Sequence, residues 1–141
     1  MAPEFVSGDA AQVTVTFQGR TSASYLVPLA PTAPGIFTQN ATGKGYAVTF
    51  NQKGIVNLPA HWEGDVMTLF VTGIGQAASA IAIDGDRLPA IPLSVDKGTV
   101  PGVMQIKVPI PFGQNCDPSV VVRVGNAVSQ PDVTIANDIC I

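Results

Sequence analysis

The 141 residues of this chain fall within the size of a single domain and can bury roughly two-thirds of their unfolded surface around one core. Apolar residues make up 46% and charged residues 12%, beside 14 Gly and 12 Pro; such a composition disfavours disorder and long helices and suits short strands joined by tight turns. A net charge of −3 without any Lys/Arg cluster argues against nucleic acid and anionic membranes as partners. No apolar run approaches the roughly 18 residues of a membrane helix, so no membrane insertion is expected.

The chain opens Met1-Ala2-Pro3-Glu4-Phe5, with neither the basic nor the apolar stretch of a signal peptide. Residues 1–11 are expected to be a remnant of an expression vector or a flexible arm, and any export signal of the parent would lie upstream. Residues 12–141 are expected to form one sandwich module, within which 12–30 is a hairpin that can derive from a preceding module. Val13, Val15 and Phe17 alternate with Thr14 and Thr16, Gly19 marks a turn, and the chain returns through Tyr25, Leu26 and Val27. Pro31 and Pro34 predict a stiff crossover over 31–35. Further strands are expected at 46–50, 66–72, 78–83, 88–93, 120–124 and 133–136. In 104–110, Met104, Ile106, Val108 and Ile110 oppose Gln105, Lys107 and Pro109, and the prolines hint at a sheet edge. Lys53-Gly54, Glu63-Gly64, Gly73 to Gly75, Asp84-Gly85, Lys97-Gly98 and Gly125-Asn126 supply turn residues between them. The one short helical candidate, 76–82, fits a strand better. The expected fold is all-β, an immunoglobulin-like β-sandwich of short antiparallel strands.

The two ends of the chain echo each other at a constant offset of 107 positions. Val13, Val15, Phe17, Ser22 and Leu26 then fall on Val120, Val122, Val124, Ser129 and Val133, and Gly19 falls on Asn126. Similar β-patterning by chance and a true modular repeat both account for this. Burying Val13, Val15 and Phe17 would stabilise by about 1.5–3 kcal/mol per side chain, so the N-terminal hairpin is expected to dock on this chain's own core. The alternative is pairing with a neighbouring chain through its strand edges.

Two cysteines, Cys116 and Cys140, bracket the last strands. A disulfide between them is expected to close a loop of about 25 residues, worth roughly 3 kcal/mol, and implies an oxidising compartment. Two inert thiols are the alternative; a metal-binding thiol is disfavoured because there is no Cys-x-x-Cys spacing and His61 is the only histidine. The sequence lacks a Gly-x-Ser-x-Gly elbow, a Walker loop and a His-Glu-x-x-His helix. Glu63 with Asp65, and Asp84 with Asp86, flank glycines as turn residues do. Asp84 and Asp86 are weak candidates for calcium, which needs six to eight oxygens and therefore further help from Asp65, Asp96 or Asp117. Trp62 either packs under a loop or, with Tyr46 and Tyr25, forms a platform for a sugar ring or a protein. Asn40-Ala41-Thr42 matches the glycosylation sequon as a short pattern.

The run Pro31 to Thr38, then Asn51-Gln52, Asn57-Leu58-Pro59 and Gly64 to Gly75, resembles the Ig-like C-terminal domain family of secreted acidobacterial (Solibacter-type) proteins. Ile83-Asp84-Gly85, the alternating stretch from Pro101 to Pro109 and the hairpin from Val120 to Ser129 are similar to the second half of that family, so the resemblance covers about residues 12–137. It implies a module in the style of surface and adhesion domains, with no assigned activity. His61-Trp62 and the cysteine pair depart from the family pattern. The expected function is accordingly a non-enzymatic structural or interaction module of an exported multidomain bacterial protein, extracellular or at the cell surface, binding protein or polysaccharide without a cofactor. A carbohydrate-binding module using Trp62 and nearby aromatics, and a subunit that self-assembles by strand pairing, are the alternatives.

Overall fold

In a computed structural model, residues 8–57, 65–75, 81–85, 89–109 and 116–136 are described. Their regular structure is entirely β: β1 (Ala10–Val13), β2 (Thr16–Phe17), β3 (Arg20–Thr21), β4 (Tyr25–Pro28), β5 (Gly35–Ile36), β6 (Gly45–Tyr46), β7 (Thr49–Phe50), β8 (Val66–Thr72), β9 (Ile81–Gly85), β10 (Pro89–Ala90), β11 (Ser94–Lys97), β12 (Val103–Pro109), β13 (Val120–Val124), β14 (Ala127–Val128) and β15 (Val133–Thr134).

Period-two patterning decides which faces are buried. β12 lies antiparallel to β8, with Met104 opposite Val71, Ile106 opposite Leu69 and Val108 opposite Met67. All six are buried. This pair is the centre of a larger sheet in the order β11-β12-β8-β5, with β7 also paired to β8. A second sheet, β10-β9-β13-β14, sets Val122 opposite Ile83 and turns Val120, Val122 and Val124 inward. The inner side chains of both sheets belong to one apolar cluster, completed by Ile36, Ile74, Val133 and Ile135. The architecture is thus a β-sandwich, antiparallel except where β15 runs parallel to β6.

Two glycines admit the chain to this sandwich from its N-terminal side. The Ala33 amide donates to the Gly73 carbonyl at 2.7 Å. Gly73 and Gly75 hold φ of +73° and +65°, and a Cβ on either would fall on the carbonyl oxygen of Ala33 or Pro31. Only glycine combines that backbone with that approach.

Several expected boundaries shift. β12 is flanked on both sides rather than lying at an edge, because Pro109 sits at the last position of the strand. Of the expected strand at 78–83, residues 78–80 lie outside the described residues; the described strand Ile81–Gly85 runs past its expected end, so Asp84 and Gly85 belong to the ladder, opposite Val121 and Val120, instead of forming a turn. The stretch 88–93 is divided: Pro89–Ala90 pairs with β9, while Ile91 and Leu93 are exposed and the ladder with β12 begins at Ser94. Ala10 and Ala11 lie in β1, so the arm expected over 1–11 does not extend that far.

The largest difference concerns the N-terminal hairpin. β1 pairs with β4 and β2 with β3, each as a two-stranded sheet separate from the sandwich. Val13, Val15 and Phe17 are 46%, 65% and 71% exposed, so the expected docking on this chain's own core does not occur. The physical reason is occupancy: the inner face of the larger sheet is already covered by Val120, Val122 and Val124. Val15→Asp should therefore leave the unfolding free energy within about 0.5 kcal/mol of the parent, whereas Val122→Asp, which buries a charge, should cost at least ~3 kcal/mol; urea denaturation of both variants measures this.

Candidate functional site

The hairpin is rigidly built for an element without a core beneath it. Gln18 and Gly19 hold φ of 49° and 76° in the two-residue turn, the geometry whose twist matches that of paired strands. Below it, the Thr16 and Thr21 hydroxyls meet at 2.8 Å. The Ser22 amide donates to the Val15 carbonyl at 2.9 Å, and the Val15 amide donates to Ser22 Oγ at 3.0 Å. Farther out, the Leu29 amide donates to the Asp9 carbonyl. The ribbon presents Val13, Val15, Phe17, Tyr25 and Leu26 to solvent.

A second exposed cluster lies at the β6–β15 seam. The Tyr46 hydroxyl donates to Asp117 Oδ2 at 2.7 Å. Ionising the phenol would lose that bond and set two negative charges together, so the Tyr46 pKa is raised from its ordinary 10.0, the hydrogen bond to Asp117 contributing most, then the charge of Asp117, then desolvation. Beside it, Lys44 Nζ lies 3.3 Å from Asp132 Oδ2 in an exposed ion pair, and the Gly45 and Ala47 amides donate to the Asp132 and Thr134 carbonyls.

A third feature ties the sandwich together from a distance in sequence. Gln130 Oε1 accepts from the Ile36 amide at 3.0 Å and Gln130 Nε2 donates to the Ile36 carbonyl at 2.6 Å. The side-chain amide thus pairs with β5 as a strand backbone would. Asn51 and Asn57 serve locally: Asn51 Oδ1 accepts from the Lys53 and Ile55 amides, and Asn57 Oδ1 accepts from the Thr49 amide.

The residues singled out from sequence are dispersed. Tyr46 is 43% exposed on β6 and Tyr25 is 75% exposed on β4, in different sheets. Trp62, with which they were expected to share a platform, lies outside the described residues, as do His61, Glu63 and Asp86. Asp84 is in β9, while Asp117 is engaged by Tyr46 and Asp96 Oδ2 accepts from Ser94 Oγ at 2.9 Å. Among the described residues no three His, Cys, Asp or Glu side chains are grouped to hold a metal ion. Asn40 Oδ1 accepts from the amide and the hydroxyl of Thr42, so the sequon residues form an exposed turn. Cys116 is an exposed residue ahead of β13; Cys140, the other cysteine of the sequence, lies outside the described residues. Sequence inspection missed Gln130–Ile36 and Tyr46–Asp117, which join positions 94 and 71 apart and carry no spacing signal.

No protein-family model matches this sequence, and neither a curated protein nor a solved structure matches the chain.

Two outcomes follow from these contacts. Gln130→Ala leaves the Ile36 amide and carbonyl without their partner and should lower the unfolding free energy by about 1–3 kcal/mol in urea titrations. Tyr46 should ionise above pH 10.0 in an ultraviolet or NMR titration, and Asp117→Asn should lower that midpoint. Because the folded-state pKa is the raised one, the stabilisation from this bond is whole below the ordinary tyrosine pKa and is lost as pH climbs through the raised value.

Proposed function

We propose that this chain is a non-enzymatic structural or interaction module of an exported multidomain bacterial protein, working outside the cell or at its surface through contacts with protein. One observation carries this reading: a well-formed hairpin holds bare apolar side chains, Phe17 and Val15 foremost, away from a sandwich that is already closed. Such a strip exposed on a rigid ribbon fits a polypeptide partner that can complete its edges or cover its face. The acidic side chains with assigned partners serve the fold, Asp117 with Tyr46, Asp96 with Ser94 and Asp132 with Lys44. The resemblance to the acidobacterial Ig-like family supports the same style of module and an immunoglobulin-like strand arrangement. Export would accompany a disulfide at Cys116, since disulfides persist in oxidising compartments. Its proposed partner is Cys140, a pairing that peptide mapping of unreduced protein identifies.

A second reading, a carbohydrate-binding module, is favoured by one observation: the exposed Tyr46 ring is fixed by a carboxylate, Asp117. A flat aromatic face beside a hydrogen-bonding acid is the chemistry that holds a sugar ring.

A photoreactive benzoylphenylalanine in place of Phe17, introduced into the protein in its parent cell, should form adducts with polypeptide, while the same residue at Lys53 should not. Absence of such adducts, together with glycan binding abolished by Tyr46→Ala, would transfer the conclusion to the second reading.

A further inference from the structure

The N-terminal hairpin and the closing hairpin of the sandwich share one register and one serine-to-backbone bond at an offset of 107 positions. Thr16 pairs with Thr21 and Phe17 with Arg20; Arg123 pairs with Val128 and Val124 with Ala127, the same register at the same offset. The Ser22 amide donates to the Val15 carbonyl at 2.9 Å, as the Ser129 amide donates to the Val122 carbonyl at 2.8 Å. The Val15 amide donates to Ser22 Oγ at 3.0 Å, as the Val122 amide donates to Ser129 Oγ at 2.9 Å. Gln18 and its counterpart Gly125 both take positive φ, 49° and 59°, but the turns differ at the next position, where Gly19 is also positive at 76° and its counterpart Asn126 is not. A shared side-chain-to-backbone bond and a shared register are more than generic alternation produces, since any hairpin turn would satisfy the pattern without the serine. The likeness ends at the outer strands, where Gln12 pairs with Leu26 but its counterpart Ser119 bridges to Thr134, one position farther on.

What differs is the cover. Val122 and Val124 are 0% and 2% exposed, their counterparts Val15 and Phe17 65% and 71%. In the closing hairpin these positions lie in one apolar cluster with β8 and β12. The N-terminal copy therefore has the shape and apolar face of a part that belongs on the inner face of such a sheet. The sheet in this chain is occupied by its own closing hairpin, and a second copy of the chain would be occupied in the same way. Closing strands come last in the sandwich, so the unit that residues 10–28 would close stands on their N-terminal side.

Resting on the interaction-module reading, we propose that residues 10–28 are the closing hairpin of a preceding sandwich unit of the same construction, whose larger sheet covers Val13, Val15 and Phe17. The parent is then a tandem array with a repeat of 107 residues. Adjacent units are joined closely, because only Leu29 and Ala30 separate β4 from the Pro31 to Ile36 segment that Gly73 and Gly75 receive.

The test extends the full chain. Residues 31–115 are fused directly ahead of residues 9–141, so that the hairpin can close an added unit, and amide hydrogen exchange is compared with the 141-residue chain. The Val15 and Ser22 amides should slow by at least about 100-fold, as expected when an amide enters a cooperative core, and Val15→Asp should reverse the protection while leaving the second unit folded. A second variant guards against a tandem that fails for other reasons: in the full chain, residues 13–26 replace residues 120–133, and the product should retain a cooperative unfolding transition. Hairpin amides that exchange at single-chain rates, together with a transplant lacking that transition, overturn the proposal. So does a concentration-dependent dimer of the 141-residue chain in sedimentation velocity that Val15→Asp abolishes, a result that would leave the interaction-module reading standing.

Discussion

The inner face of the β8–β12 pair has to be covered, and the rest of the sandwich is organised by that need. Met67, Leu69, Val71, Met104, Ile106 and Val108 form an apolar surface whose exposure would cost about 1.5–3 kcal/mol per side chain. β13 meets it with three valines at alternate positions, backed by Ile83 on β9. β15 then brings Val133, with Ile135 just beyond it, into the same cluster, and its parallel pairing with β6 sets Thr134 beside Tyr46. Even the free state of the N-terminal hairpin is a consequence, since the inner face that takes its closing counterpart is occupied.

Polar groups divide the labour by sequence distance. Asn40, Asn51 and Ser22 shape turns from within a few positions, and such bonds form wherever the local chain allows. Gln130 and Asp117 act across the whole fold and require the core to have brought their partners close. Thr49 shows the limit of the scheme: its backbone amide is held by Asn57, while its buried Oγ1 has no partner among the described residues. Its β-branched shape suits β7.

Much of the fold was legible because alternation survives burial. The strand at 66–72, and that at 104–110 as far as Pro109, read correctly from side-chain type alone, since one face is apolar and the sheet partner on each side simply repeats the pattern. Residues 88–93 misled because Ile91 and Leu93 are apolar yet exposed, and apolar character signals burial only on average. The hairpin was misplaced for the opposite reason. Its pattern is that of a core element, correctly read, but alternation says that a face wants cover and is silent on which surface supplies it. Site residues fared worst, because Tyr46–Asp117 and Gln130–Ile36 depend on three-dimensional proximity that no local motif encodes.

The paired bonds between Gln130 and Ile36 also bear on how the module would carry tension. They fasten the first strand of the sandwich to the stretch that precedes its last, with the Ala33–Gly73 bond close by on the same strand path. A pull transmitted along the hairpin reaches the Ala33–Gly73 bond and the edge pairing of β5 with β8, together with this fastening, before it reaches the β8–β12 ladder. Yielding there would peel β5 and lengthen the chain while the central strands stay paired, so the N-terminal edge is placed to act as a mechanical fuse that gives way ahead of the core.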